Sequence, residues 1–126
     1  MHEIVKTLIT SIRDDLGANS LIVGDTEITT IYREYDRKPN DEHITLKVDY
    51  DNYYDTTQKA FKPHSTIHYD MYCNNEIKCI RVRDAFIDRF SHKYGVTQLR
   101  HNLGVVRLDN GKFVCRCSGK IFASEC

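Results

Sequence analysis

His43-Ile44-Thr45-Leu46-Lys47-Val48-Asp49-Tyr50 alternates polar and apolar residues, and the same alternation returns along His64-Ser65-Thr66-Ile67-His68-Tyr69-Asp70-Met71-Tyr72-Cys73. Successive side chains of a β-strand point to opposite faces, so Ile44, Leu46, Val48 and Tyr50 share one side while His43, Thr45, Lys47 and Asp49 share the other. In the second stretch Ile67, Tyr69, Met71 and Cys73 oppose His64, Thr66, His68 and Asp70. Two such strands, separated by a segment broken at Lys62-Pro63, predict an antiparallel pair with one buried and one wet face.

Upstream, Asp36-Arg37-Lys38-Pro39-Asn40-Asp41 reads as a loop, because Pro39 cannot donate to a ladder. Before it, Leu21–Val23, a Gly24-Asp25 turn and Thr26–Tyr35 are rich in β-branched and aromatic residues and read as strands. At the start of the chain the period changes to that of a helix. Ile4, Val5, Leu8, Ile9, Ile12 and Leu16 form one apolar stripe, and Gly17 supplies a stop.

Downstream, Asn74-Asn75 turns the chain into Ile77–Val82, a short strand or the start of a second helix. Arg83–Tyr94 is the clearer helix: Ala85, Phe86, Phe90 and Tyr94 share a face, with Asp84 in the first turn, His92 and Lys93 in the last, and Gly95 following. Asn110-Gly111 fits a type I′ turn, which would pair Leu108 with Phe113, Arg107 with Val114 and Val106 with Cys115. Val106, Leu108, Phe113, Cys115 and Cys117 would then share one face, and Arg107, Lys112 and Arg116 the other. The predicted fold is α+β: an N-terminal helix, a mainly antiparallel sheet of about five to seven strands, then a second helix followed by a C-terminal β-hairpin. At 126 residues the chain fits a single domain, 1–126, with enough core to need neither metal nor disulfide.

A content of 40 % hydrophobic and 29 % charged residues places the chain among folded globular proteins rather than disordered linkers. No apolar run approaches the ~20 residues of a membrane span. The opening stretch carries charges through its apolar positions and does not read as a secretory signal. With an odd number of cysteines, 5, a complete disulfide framework is not expected. The chain therefore reads as cytoplasmic with reduced thiols.

The net charge of zero conceals an asymmetry. Met1–Asn75 holds 8 Lys+Arg against 13 Asp+Glu, whereas Glu76–Cys126 holds 10 against 5. A basic C-terminal third is a candidate surface for nucleic acid or an acidic protein. Its residues are Arg81, Arg83, Arg89, Lys93, Arg100, Arg107, Lys112, Arg116 and Lys120.

Four further patterns carry chemistry. In Phe86–Gly104, Ser91 and Gly95 are spaced as in a helix-turn-helix, and the following hairpin would serve as the wing of a winged-helix DNA-binding domain. His101 and Gly104, however, occupy positions that should anchor a recognition helix. His43-Ile44-Thr45 and His64-Ser65-Thr66 resemble the His-x-Thr signature of the 2H phosphoesterases. That resemblance implies two histidines acting as general acid and base, with Thr45 and Thr66 holding phosphate. The two motifs stand 21 positions apart here, closer than one per lobe of a duplicated fold. Cys115-Arg116-Cys117 and Cys73…Cys79 lack the two-to-four-residue spacing of a zinc knuckle, so cysteine is read as a small hydrophobe and no metal or cofactor is expected. Tyr50, Tyr53, Tyr54 and Tyr72, set among Asp and Asn, form a candidate protein interface, including one for self-association.

No Walker loop, dinucleotide fingerprint, nucleophile elbow or zincin motif is present. The function read from sequence is a small non-catalytic regulator or adaptor that binds a macromolecule, of a composition that also fits a phage or mobile-element accessory protein.

Overall fold

A computed structural model describes residues 2–55 and 60–122, with side chains placed except at 2, 50–64, 103 and 122. Helix α1 spans His2–Ala18, and its predicted stripe is the buried one: Val5, Leu8, Ile9, Ile12 and Leu16 all enter the core. Gly17 stays inside the last turn instead of ending it, and the helix closes with Asn19 N–H donating to the Asp15 carbonyl at 2.9 Å.

Strands β1 (Leu21–Val23) and β2 (Thr26–Ile28) form a small antiparallel hairpin of their own. The expected strand to Tyr35 is interrupted. Arg13 of α1 takes the Ile31 carbonyl at 3.0 Å and the Asp36 carboxylate accepts from the Arg33 N–H at 2.9 Å, so local partners replace a ladder. Only Tyr32–Arg33 pairs further, as β3, and it runs parallel to β4.

The remaining strands are β4 (His43–Asp55), β5 (Ala60–Cys73), β6 (Arg100–Arg107) and β7 (Phe113–Phe122). The main sheet has the order β3-β4-β5-β7-β6 and is antiparallel throughout except at β3. Both edges are poor templates for further strands: β3 has two residues, and β6 carries register irregularities near Leu103.

Helix α2 spans Glu76–Phe90, so Ile77–Val82 is its beginning. Asn75 decides this by capping: its side chain accepts from the Lys78 N–H at 2.7 Å. Glu42 ties the same corner together, accepting from the Asn74 N–H at 3.0 Å and from the Thr26 hydroxyl at 2.6 Å. The far end of α2 stops four residues before the predicted Tyr94. Ser91 is extended, and His92, Tyr94 and Gly95 take φ values of 59°, 56° and 81°. The turn is held from outside, by the Tyr94 hydroxyl donating to Asp15 at 2.6 Å and by Ser91 Oγ accepting from the Leu99 N–H at 3.0 Å.

The final hairpin differs from the predicted register by one residue. Val106 pairs with Val114 and Arg107 with Phe113. Gly111, at φ 83°, donates to the Leu108 carbonyl at 3.0 Å, while Leu108 N–H donates to the Lys112 carbonyl at 2.7 Å. These bonds define a three-residue loop, Asp109-Asn110-Gly111, with glycine alone at positive φ, in place of a type I′ turn. Val106 therefore shares the face of Val114, and Arg107 that of Phe113. Arg107 is nonetheless exposed, because β6 is the sheet's edge.

Both helices pack on one face of the main sheet. Ile44, Leu46, Ile67, Tyr69, Met71, Cys73, Cys115 and Cys117 meet Cys79, Val82, Phe86 and Phe90 of α2 and the stripe of α1. Phe86 sits between Tyr69 and Phe90, each ring centroid 4.6 Å away. Cys79 Sγ lies 3.2 Å from Cys115 Sγ. The bond to Cys115 favours the Cys79 thiolate, but a hydrogen bond with Cys73 and burial outweigh it and push the thiol up to about 12. Burial, reinforced by Cys115, pushes Cys117 up to about 12 as well. These thiols are packing groups, as the sequence suggested, and poor nucleophiles.

Candidate functional site on the open sheet face

The face away from the helices can be written row by row from the strand register. His43, Tyr72, Val114 and Val106 form the first row across β4-β5-β7-β6. Thr45, Asp70 and Arg116 form the second. Lys47, His68, Ser118 and Arg100 form the third, and Asp49, Thr66 and Lys120 the fourth. Rows are two residues, or about 6.6 Å, apart.

Each row is cross-linked differently. In the first, the His43 ring stacks on Tyr72 with centroids 4.8 Å apart and planes 13° from parallel. His43 Nδ1 donates to the Asp41 carbonyl at 2.8 Å, which folds the preceding loop over this end. Burial pushes the His43 imidazole below its ordinary range; that carbonyl opposes the shift and nearby Lys112 and Lys38 add to it. Burial also raises the Tyr72 hydroxyl, helped by Asp70 and opposed by its bond with Thr45. In the second row Arg116 grips Asp70 with two bonds, Nε to Oδ1 at 2.7 Å and Nη2 to Oδ2 at 3.1 Å.

The most specific arrangement spans the third and fourth rows. His68 Nε2 is 2.9 Å from Asp49 Oδ2, and His68 Nδ1 is 2.6 Å from Ser118 Oγ. Asn102 Nδ2 lies 2.7 Å from Ser118 Oγ and 3.3 Å from His68 Nδ1. Asp49, His68, Ser118 and Asn102 come from β4, β5, β7 and β6, one residue per strand. The imidazole is buried at 7 % exposure, while Ser118 is half-buried and Asn102 exposed.

Sequence reasoning placed Asp49 and His68 on the wet face but did not join them to Ser118 and Asn102. Residues 49, 68, 102 and 118 form no local motif, and their meeting depends on the β4-β5, β5-β7 and β6-β7 registers. Alternation alone assigns a face, never a neighbour.

The two His-x-Thr pairs do not converge. His43 stands opposite Tyr72 and His64 opposite Asp51, eight positions along the same ladder, which is about 26 Å of strand. At that backbone separation one phosphodiester does not span the two motifs. The helix-turn-helix is not formed: Arg100–Arg107, where a recognition helix would lie, is strand β6. Among the described residues no group of three or more His, Cys, Asp or Glu is arranged to hold a metal ion. No described helix is long and apolar enough to cross a membrane.

The nine basic residues are dispersed. Arg89 of α2 is spent on Asp15, with Nε 3.1 Å from Oδ1, and Arg116 on Asp70. Lys112 reaches the carbonyls of Asn40 and Asp41. Arg83 is buried, its Nε 3.6 Å from Asp84 Oδ1. Arg81 and Lys93 are exposed on the helical side, on α2 and in the turn after it, and Arg107 at the sheet edge. Arg100 and Lys120 are exposed on the open face, in adjacent rows and flanking Ser118. Of the candidate interface tyrosines, Tyr72 is stacked on His43, whereas the side chains of Tyr50, Tyr53 and Tyr54 lie outside the described residues.

On the open face Lys47 stands beside Asp49 on β4, and Asp70 on β5 pairs with Arg116. Asp49 faces outward from β4, and Arg116, Lys120 and Arg100 from β7 and β6. Compared with known proteins, the chain matches no family model and has no significant match among curated proteins.

Proposed function

We propose that the protein is a binding module whose working surface is the basic flank of the open sheet face. Its partner is an anionic macromolecule, met by Arg100 in the third row and Lys120 in the fourth. The supporting observation is the exposure of Arg100 and Lys120 on the same face in adjacent rows, away from both helices. The thiols Cys73, Cys79, Cys115 and Cys117 are free and buried, in keeping with a cytoplasmic regulator or adaptor.

Fluorescence anisotropy with a labelled single-stranded oligonucleotide, over a salt series, tests the reading. Each phosphate contact contributes about 0.7 to the slope of log affinity against log salt for single strands, so Arg100→Ala with Lys120→Ala should reduce the slope by about 1.4. An acidic peptide run in parallel identifies a protein partner if the oligonucleotide does not bind at low salt. Binding that the double variant leaves unchanged, or no binding to either probe, overturns the proposal.

A further inference from the structure

We infer that Ser118 is an activated nucleophile, with His68 as its general base and Asp49 as the positioning residue, able to accept an acyl group from a carboxylic ester. The inference is independent of the macromolecular partner, since it rests on the direction of protons within one hydrogen-bonded chain.

The partners fix the direction of those protons. Asp49 is a carboxylate with only acceptors to offer, so the N–H of the neutral imidazole belongs on Nε2, 2.9 Å away. Nδ1 is then the bare nitrogen. It is approached by two groups that can donate, the Ser118 hydroxyl at 2.6 Å and the Asn102 amide at 3.3 Å. Asn102 also donates to Ser118 Oγ at 2.7 Å, which occupies an oxygen lone pair and leaves the hydroxyl hydrogen for Nδ1. The serine hydroxyl makes the shorter of the two approaches and therefore points its proton at the base. A carboxylate, an imidazole and a hydroxyl so ordered form the relay that activates serine in acyl transfer, here with the two ring nitrogens exchanged relative to the common arrangement.

The surroundings suit the charge that would develop. In the addition step the Ser118 oxygen bonds to the ester carbonyl carbon, its proton passes to His68 Nδ1, and the carbonyl oxygen becomes an oxyanion. Arg100 stands opposite Ser118 in the ladder, on the same face, and Arg116 and Lys120 stand two residues to either side on β7. Arg116 is paired with Asp70, so Arg100 and Lys120 are the two cations beside the hydroxyl that favour an anion at that place. Collapse breaks the carbon–oxygen bond to the leaving group, which departs as an alcohol with the proton from His68. Water then repeats the sequence on the acyl-serine and releases the acid, so no further reactant is needed. Ser118 is half-buried on the face away from the helices, and Asp49 is 49 % exposed at its side chain, so a small ester can approach.

The test uses the full chain with a fluorophosphonate probe and with p-nitrophenyl acetate. The expected result is labelling of Ser118, located by peptide mass, and a burst of p-nitrophenol that Ser118→Ala abolishes. Asp49→Asn removes the charge and lets an amide donate to Nε2, turning the tautomer so that Nδ1 no longer accepts. Its labelling rate should fall about 100-fold with the circular dichroism spectrum unchanged. His68→Asn should match it, and Asp49→Asn serves alone if that buried change unfolds the sheet. Absence of Ser118 labelling, or labelling at an equal rate in folded Asp49→Asn, overturns the inference.

Discussion

The two faces of the main sheet are built by the same strands and held by different physics. Toward the helices, Ile44, Leu46, Ile67, Tyr69, Met71, Cys115 and Cys117 contribute apolar area, whose burial is additive and largely indifferent to direction. Toward solvent, His43–Tyr72, Asp70–Arg116 and Asp49–His68–Ser118–Asn102 contribute directional contacts whose geometry fails within an ångström. The inner face therefore sets stability and the outer face sets which neighbours meet. Residues that bond in fixed pairs are also residues that can do chemistry or recognise charge, so the functional candidates collect on one side.

The strongest way to break this contrast is to remove a ring from the inner face. Phe86 is fully buried between Tyr69 and Phe90, and truncation leaves a void that rigid neighbours cannot fill. Phe86→Ala should cost about 3–5 kcal/mol in denaturant unfolding. A loss below about 1 kcal/mol would mean that the helix layer is not the stabilising one.

The matching change on the outer face should cost less. Asp70→Ala strips Arg116 of both its bonds, but the Arg116 side chain is 27 % exposed and recovers part of its hydration. A cost of about 1–3 kcal/mol follows for lost charge-assisted hydrogen bonds, read by the same unfolding curves. If it equalled Phe86→Ala, the two faces would not differ as argued.

The same division explains what the sequence made legible. The helix stripe from Val5 to Leu16 and the alternation in β4 and β5 follow from burial alone, and burial is a property of each residue's type. Turn chemistry was less legible. Asn110-Gly111 suits two loops of different length, and the one-residue difference moved Val106 to the outer face. The end of α2 was set by Asp15 and Leu99, partners distant in sequence, rather than by Gly95. The chain Asp49–His68–Ser118–Asn102 needed three registers at once, which no single stretch contains. Gly119 shows the same limit. A Cβ there would come within 2.8 Å of Val96 Cγ1 and 3.0 Å of Leu99 Cδ2, a close approach made by a segment twenty or more positions away. Local pattern gave no sign of it.

The smallest effect, and the sharpest test of the outer face, is the pH response of His43. Its ordinary value is 6.5, and burial under the 36–41 loop holds it lower in the folded protein. As pH falls through 6.5, the unfolded chain takes up a proton that the folded chain refuses, so unfolding becomes easier. The stabilisation is thus complete above the unfolded value and is lost on acidification toward the folded one. Asp15 and Asp36 are held below their ordinary 3.8, Asp15 first by the Tyr94 hydroxyl and Asp36 first by the Arg33 N–H, so their losses fall at more acidic pH. Thermal melts between pH 7.5 and 5 should therefore show a decline in the wild-type protein that His43→Gln flattens. A Tm that instead rises on acidification would mean that the imidazole is charged in the folded state. The stack on Tyr72 would then be a cation resting on an aromatic ring, and the first row would belong with the basic flank rather than apart from it.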